Sequence, residues 1–159
     1  MELVEILRWE IDLVVNKHES ARSLALSVLE QVFDQGAYSN IALNKALESS
    51  RLSAQDKGLV TELVYGTVSR KITLEWYLAR FIEDREKLDT WVYYLLMLSL
   101  YQLLYLDKLP IHAVVNEAVQ IAKRGRGTDK FVNAVLRKIS QTSLPSPSDI
   151  KRKNKRLSI

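Results

Sequence analysis

Residues 91–106 read WVYYLLMLSLYQLLYL. Fourteen of these sixteen residues are apolar, and Ser99 and Gln102 are the two interruptions. A helix this uniform has no polar face to turn toward water, so other elements must enclose it. The run falls short of the roughly 20 residues that span a bilayer, and Asp89 and Asp107 bracket it. The reading is a central buried helix with Leu95 and Leu103 in the core. The spacing of Tyr93, Tyr94, Tyr101 and Tyr105 predicts packed rings whose hydroxyls reach an edge, in preference to base-stacking platforms.

The flanking sequence supplies the partners. Leu24, Leu26, Val28, Leu29, Val32 and Phe33 form an apolar stripe over 20–35, and Gly36 is placed to stop that helix. Ser39 is positioned to cap the next helix. Ser53 caps a longer one, with Asp56 in the acidic slot three residues on. The pattern weakens at Gly66–Thr67, which predicts a break within 68–73 before Leu74, Tyr77, Leu78 and Phe81 resume it. Asp89 is positioned to cap the central helix. Pro110 opens the following helix after a break at 107–109. Thr128 or Asp129 starts the last, which runs to about Ser140. Leu144-Pro145-Ser146-Pro147-Ser148 has linker composition. Leu3, Ile6, Leu7, Leu13 and Val14 allow a short amphipathic helix at the N-terminus, or an over-extended translation start.

A chain of 159 residues fits one domain, and 47% apolar residues suffice for a core. Five Gly, three Pro and no alternating stretch point to an all-α fold of seven or eight helices. With no Cys, the sequence excludes disulfides, iron–sulfur sites and a cysteine nucleophile. His18 and His112 stand far apart, so no metal site is expected. No Gly-rich loop follows a strand, and no paired carboxylates or other catalytic set emerges. The acidic N-terminus lacks the features of a secretory signal, so a cytoplasmic protein is expected.

The charge is unevenly placed. The formal net charge is +4, yet residues 1–150 carry 18 basic against 19 acidic groups. The excess lies in Lys151, Arg152, Lys153, Lys155 and Arg156, which form either a solvated linker or a nucleic-acid arm. Helical geometry places Ile111, Val114, Val115, Ala118, Ile121 and Ala122 on one face, and His112, Asn116, Gln120 and Lys123 on the other. In the last helix Phe131, Val132, Val135, Leu136 and Ile139 point inward, while Lys130, Asn133 and Arg137 point away. With the connector Lys123-Arg124-Gly125-Arg126-Gly127, residues 123–138 hold six basic groups and one acidic one. This is either a phosphate-facing surface or an ordinary solvated face. The candidate RNA-binding set is Lys123, Arg124, Arg126, Lys130, Asn133, Arg137 and Lys138, extended by Arg70 and Lys71. His112 reads as a helix-start residue and Asn116–Glu117 as structural hydrogen-bonding groups.

Five segments carry a family resemblance: ARSLALSVLEQV (21–32), GAYSNIALNKAL (36–47), LVTELVYGTVSRKITLEWYL (59–78), LSLYQLLYLDKLPIHAVVNEAVQIAK (98–123) and KFVNAVLRKI (130–139). Together they resemble the NusB-like domain. More closely, they resemble the N-terminal domain of the bacterial small-subunit rRNA cytosine-C5 methyltransferase family. The resemblance implies a helical bundle of two packed helical subdomains. It also implies binding to small-subunit rRNA beside the protein's own C-terminal methyltransferase domain, in a monomer. That domain would bind S-adenosylmethionine and supply catalytic cysteines; this chain, read as truncated, would need no cofactor and be inert. The expected division is an N-terminal extension over 1–19, the NusB-like domain over 20–141, and over 142–159 a linker, free unless domain contacts hold it. Two other readings stay open. One is a NusB-type antitermination factor, though the N-terminal region offers only Lys17 and Arg22 where that family is rich in Arg. The other is a docking module that touches its own catalytic domain and no RNA.

Overall fold

The computed structural model describes residues 20–145. The expectations for residues 1–19, for the basic segment and for all of the linker beyond Pro145 lie outside the described residues. Seven α-helices and one short 3-10 turn make up the described chain, with no strand among these residues. They are α1 (Ala21–Gln35), α2 (Ser39–Ser49), α3 (Ala54–Ser69), α4 (Lys71–Leu78), the turn Arg85–Lys87, α5 (Thr90–Tyr105), α6 (Ile111–Ala122) and α7 (Thr128–Gln141). The all-α expectation holds.

Helix α5 is the axis. Every residue from Trp91 to Gln102 is buried, and α1, α3, α4, α6 and α7 all pack on it. Leu95 lies fully in the core, but the enclosure stops one turn early. Leu103, Leu104, Tyr105 and Leu106 are half-buried and pack on the core from its rim, because the chain turns out of the bundle at Asp107–Leu109. Tyr94 donates to Asp34 Oδ1 at 2.5 Å and Tyr101 to Glu62 Oε1 at 2.7 Å, the edge contacts expected of core tyrosines.

Local sequence explains the boundaries. Ser20 and Ser23 form a reciprocal capping box at the start of α1. Gly36, at φ 70°, takes the left-handed conformation that ends it. Ser53 accepts from the Asp56 amide at 3.1 Å. The predicted break falls at Arg70, while α3 runs straight through Gly66. That glycine is there for contact: a Cβ would stand 2.0 Å from Tyr101 Cζ.

Four expectations are corrected. Ser39 is the first residue of α2, not its cap; Tyr38 holds that position in extended conformation, and its carbonyl accepts from the Ala42 amide at 3.0 Å. Asp89 precedes α5 as expected, but only its backbone carbonyl takes part, accepting from Val92 and Tyr93; Thr90 Oγ1 instead reaches Asp34 Oδ2 at 3.1 Å. Ile111 is 56% exposed, because the first turn of α6 projects beyond the core that its later residues reach. Phe131 is half-buried rather than enclosed, packed on the core from the edge.

Arg22 ties the two halves of the chain together. Its Nε donates to Gln102 Oε1 at 2.5 Å, and its Nη1 pairs with Glu117 Oε2. Gln102 also donates to the Leu98 carbonyl at 3.0 Å, so its amide is used at both ends. Arg22→Ala is expected to cost about 1.5 kcal/mol, since a buried amide oxygen and a partly buried carboxylate lose a charged partner. Urea unfolding at unchanged slope checks this.

The core tyrosines give the fold a pH signature. Burial, reinforced by the hydrogen bond to a carboxylate, pushes Tyr94 and Tyr101 up to about 12. In the unfolded chain they ionise near 10. Stability is therefore fully present below pH ~10 and is lost as pH rises toward ~12. A titration of phenolate absorbance should show Tyr94 and Tyr101 ionising late, together with unfolding, with Tyr93 and Tyr105 also raised by burial.

Candidate nucleic-acid interface

Helices α6 and α7 pack as a hairpin against α5. Val114, Val115, Ala118 and Ala122 face inward from α6, and Val132, Val135, Leu136 and Ile139 from α7. This burial turns His112, Asn116, Gln120 and Lys123 outward on α6, and Lys130 and Arg137 outward on α7; all six are exposed. The connector makes the tip of the hairpin. Gly125 lies close to Thr128 and Trp91, where a Cβ would meet Thr128 Oγ1 at 2.3 Å. Gly127, at φ 72°, begins α7 with no side-chain cap.

The basic side chains divide into two groups. Lys123, Arg126, Lys130 and Lys138 project from the exposed surface of the hairpin. Arg124 is anchored: its guanidinium lies 4.8 Å from the Trp91 ring centroid, and its Nη1 is 3.2 Å from Glu30 Oε1. The Gly-flanked connector thus has a fixed point where it crosses the start of α5. Asn133, half-buried, accepts from Arg137 Nε at 2.9 Å. Arg137 is held in one orientation on the outer face, with Lys130 two turns away, about 10 Å along the axis. Asp129 is the acidic residue of this segment.

Arg70 is not brought to this surface. Arg70 lies 4.4 Å from the Tyr105 ring centroid and 5.8 Å from that of Tyr101. Tyr105 is at the opposite end of α5 from Trp91, fourteen residues or about 21 Å along the helix. Lys71 pairs with Glu75 Oε1 at 3.1 Å and sits 5.5 Å from the Phe33 ring. His112 stands at the exposed start of α6 as expected. Glu117 is the partner of Arg22, a structural role for that residue, while Asn116 is exposed.

Arg124 over Trp91 escaped the sequence reading, as did two further arginine–aromatic contacts: Arg80 over Trp76 at 4.2 Å and Arg85 over Tyr93 at 4.0 Å. Arg80 and Trp76 are four residues apart across the end of α4, a spacing that could have suggested contact. Arg85 and Tyr93 lie on the turn and on the start of α5 that follows it, and only Arg124 over Trp91 joins distant segments. Among the described residues no group of His, Asp or Glu could hold a metal ion, and no helix is long and apolar enough to cross a membrane.

A sequence model of the NusB family matches residues 19–141. A protein of Bacillus subtilis (strain 168) described as probable ribosomal RNA small subunit methyltransferase B is 48% identical over 132 residues, covering 82% of this chain and 30% of its own length. The transcription antitermination protein NusB of Ruminiclostridium cellulolyticum is 33% identical over 133 residues, covering 79% of this chain and 90% of its own length. The solved structure of T. maritima NusB superposes with a TM-score of 0.70 at 24% identity, over 79% of this chain and 91% of that one. The last likeness supports the fold alone. The chain spans about 30% of the length of the Bacillus methyltransferase.

Proposed function

This chain belongs to the NusB family, and from that premise we propose that it is the RNA-binding N-terminal part of a small-subunit rRNA cytosine-C5 methyltransferase. It holds rRNA for a catalytic domain that lies outside this sequence and acts in the cytoplasm. The observation that carries the reading is the 48% identity to a methyltransferase relative of which this chain covers only 30%. The exposed α6–α7 hairpin supports the RNA role. Lys123, Arg126, Lys130, Arg137 and Lys138 neutralise phosphates, Asn133 orients Arg137, and Arg124 fixes the connector on Trp91 and Glu30. Arg70 would meet only an RNA long enough to run along α5. S-adenosylmethionine would bind the catalytic part; the all-helical body described here offers no strand-to-helix cradle for it.

The antitermination reading rests on the relative that the chain matches over 90% of its length, at the lower identity of 33%. Fluorescence anisotropy separates the possibilities. This chain is expected to bind a labelled small-subunit rRNA fragment more tightly than a scrambled structured RNA of equal length, with affinity falling steeply as salt rises. No binding at low salt would favour the docking-module reading. Equal binding to both RNAs would remove the rRNA assignment.

A further inference from the structure

Between the end of α4 and the start of α5 lies a polar group that the fold does not use. Tyr93 is 5% exposed, and its hydroxyl has no hydrogen-bond partner among the described residues. Tyr94 and Tyr101, on the same helix, give theirs to Asp34 and Glu62. Tyr93 instead lines a cleft of about 370 Å³, within the range of small-ligand sites, about 300–1,000 Å³. Among the described residues Thr67 Oγ1 is the unpartnered side-chain atom sealed from solvent, so the Tyr93 hydroxyl opens on the cleft. Burial pushes the Tyr93 phenol up. It therefore stays protonated at neutral pH, able both to donate and to accept.

The walls suit a flat heteroaromatic ring. Leu78 and Ile82 supply an apolar side. The Arg85 guanidinium lies 4.0 Å from the Tyr93 ring centroid, and its Nη1 is 2.8 Å from Glu75 Oε2. Glu75 and the tyrosine ring thus hold the guanidinium in place, yet half of the Arg85 side chain remains exposed. Arginine planes held open in this way stack unpaired RNA bases. Glu83, exposed and without an ion pair among the described residues, adds a carboxylate acceptor. Two residues beyond Arg85, Lys87 lines a second cleft with Arg126 and Thr128, so the site runs on into the basic tip of the α6–α7 hairpin. We propose that the Tyr93 cleft seats one unpaired nucleobase carrying an exocyclic amine. The base stacks on Arg85 and turns its polar edge to Tyr93 Oη and Glu83, while its backbone passes over Lys87 and Arg126. Uracil is disfavoured, because a carbonyl oxygen in place of the amine would face the Glu83 carboxylate without a hydrogen bond. This inference rests on the RNA reading above and adds a base-reading position to it, since phosphate contacts alone carry no sequence information.

Fluorescence anisotropy on the full chain tests it with three single-stranded RNA decamers: oligouridine, and the same strand with one central cytosine or adenine. Either replacement is expected to raise affinity at least fivefold. The basic groups beyond Pro145 add to all three strands alike, so the ratio reports the cleft. Tyr93→Phe and Glu83→Ala should each reduce the preference below twofold with the helical circular dichroism intact. Lys130→Glu should weaken all three strands and keep the ratio. Equal binding of the three strands, or a preference that survives both cleft substitutions, would overturn the base site and leave the RNA reading standing. No binding of any decamer at low salt would overturn it as well, and the RNA reading falls with it only if the structured small-subunit rRNA fragment also fails to bind.

Discussion

Gly66→Ala is expected to destabilise the domain by about 3 kcal/mol, although at an open helical site the same change would stabilise by up to ~1 kcal/mol. The added Cβ would stand 2.0 Å from Tyr101 Cζ and 2.2 Å from its Oη. The alanine has no rotamer with which to escape, so the tyrosine must move. Tyr101 is 2% exposed, stacks on Tyr105 with centroids 5.2 Å apart, and is hydrogen-bonded to Glu62. Moving it strains the core, at about 1–3 kcal/mol for overpacking, and breaks a hydrogen bond worth about 1 kcal/mol. Gly58 is the control. It lies on the same helix with nothing within 4 Å of a built Cβ, so Gly58→Ala should be neutral or stabilising. Urea midpoints that shift equally in the two variants would show that α3 and α5 do not approach as described.

Gly66 also shows where sequence reading stops. The local pattern weakens there, as it does on the approach to a break. The break is real and falls at Arg70, but the reason for the glycine is a ring 35 residues further along the chain. Periodicity made the helices legible because it reports which face of each element is apolar. It located the buried sides of α6 and α7 and so the outward Lys130 and Arg137. It could not show that the first turn of α6 overhangs the core and leaves Ile111 exposed, nor that α5 loses its cover after Gln102. Side-chain partners were the least legible part. Arg22 meets groups 80 and 95 residues away, and Arg124 meets Glu30 across 94. A count of basic residues treats Arg124 and Lys130 alike, whereas packing anchors the first and frees the second.

That distinction sets the expected result for RNA. Lys130→Glu combined with Arg137→Glu should lower affinity for small-subunit rRNA between tenfold and a hundredfold. The chain used should end at Pro145, which removes the basic segment yet keeps the contact that Tyr77 makes with the Pro145 carbonyl. Both side chains are exposed on one face of α7, about 10 Å apart along it. Each reversal deletes one phosphate contact and adds a repulsive charge, so the change is a local one in a domain whose charge away from the tail is close to balanced. Each lost contact should also reduce the slope of log affinity against log salt by about one. Neither residue is buried, so the helical signal and the urea midpoint should stay where they are. Arg124→Gln behaves differently under the same reading: it releases Glu30 and uncovers Trp91, so it should lower stability slightly and alter the salt slope little. An Arg124 variant with a slope loss as large as that of Lys130→Glu would show that the connector, and not the face of α7, carries the phosphate. Unchanged affinity in the double variant would remove RNA from this surface and favour the docking-module reading.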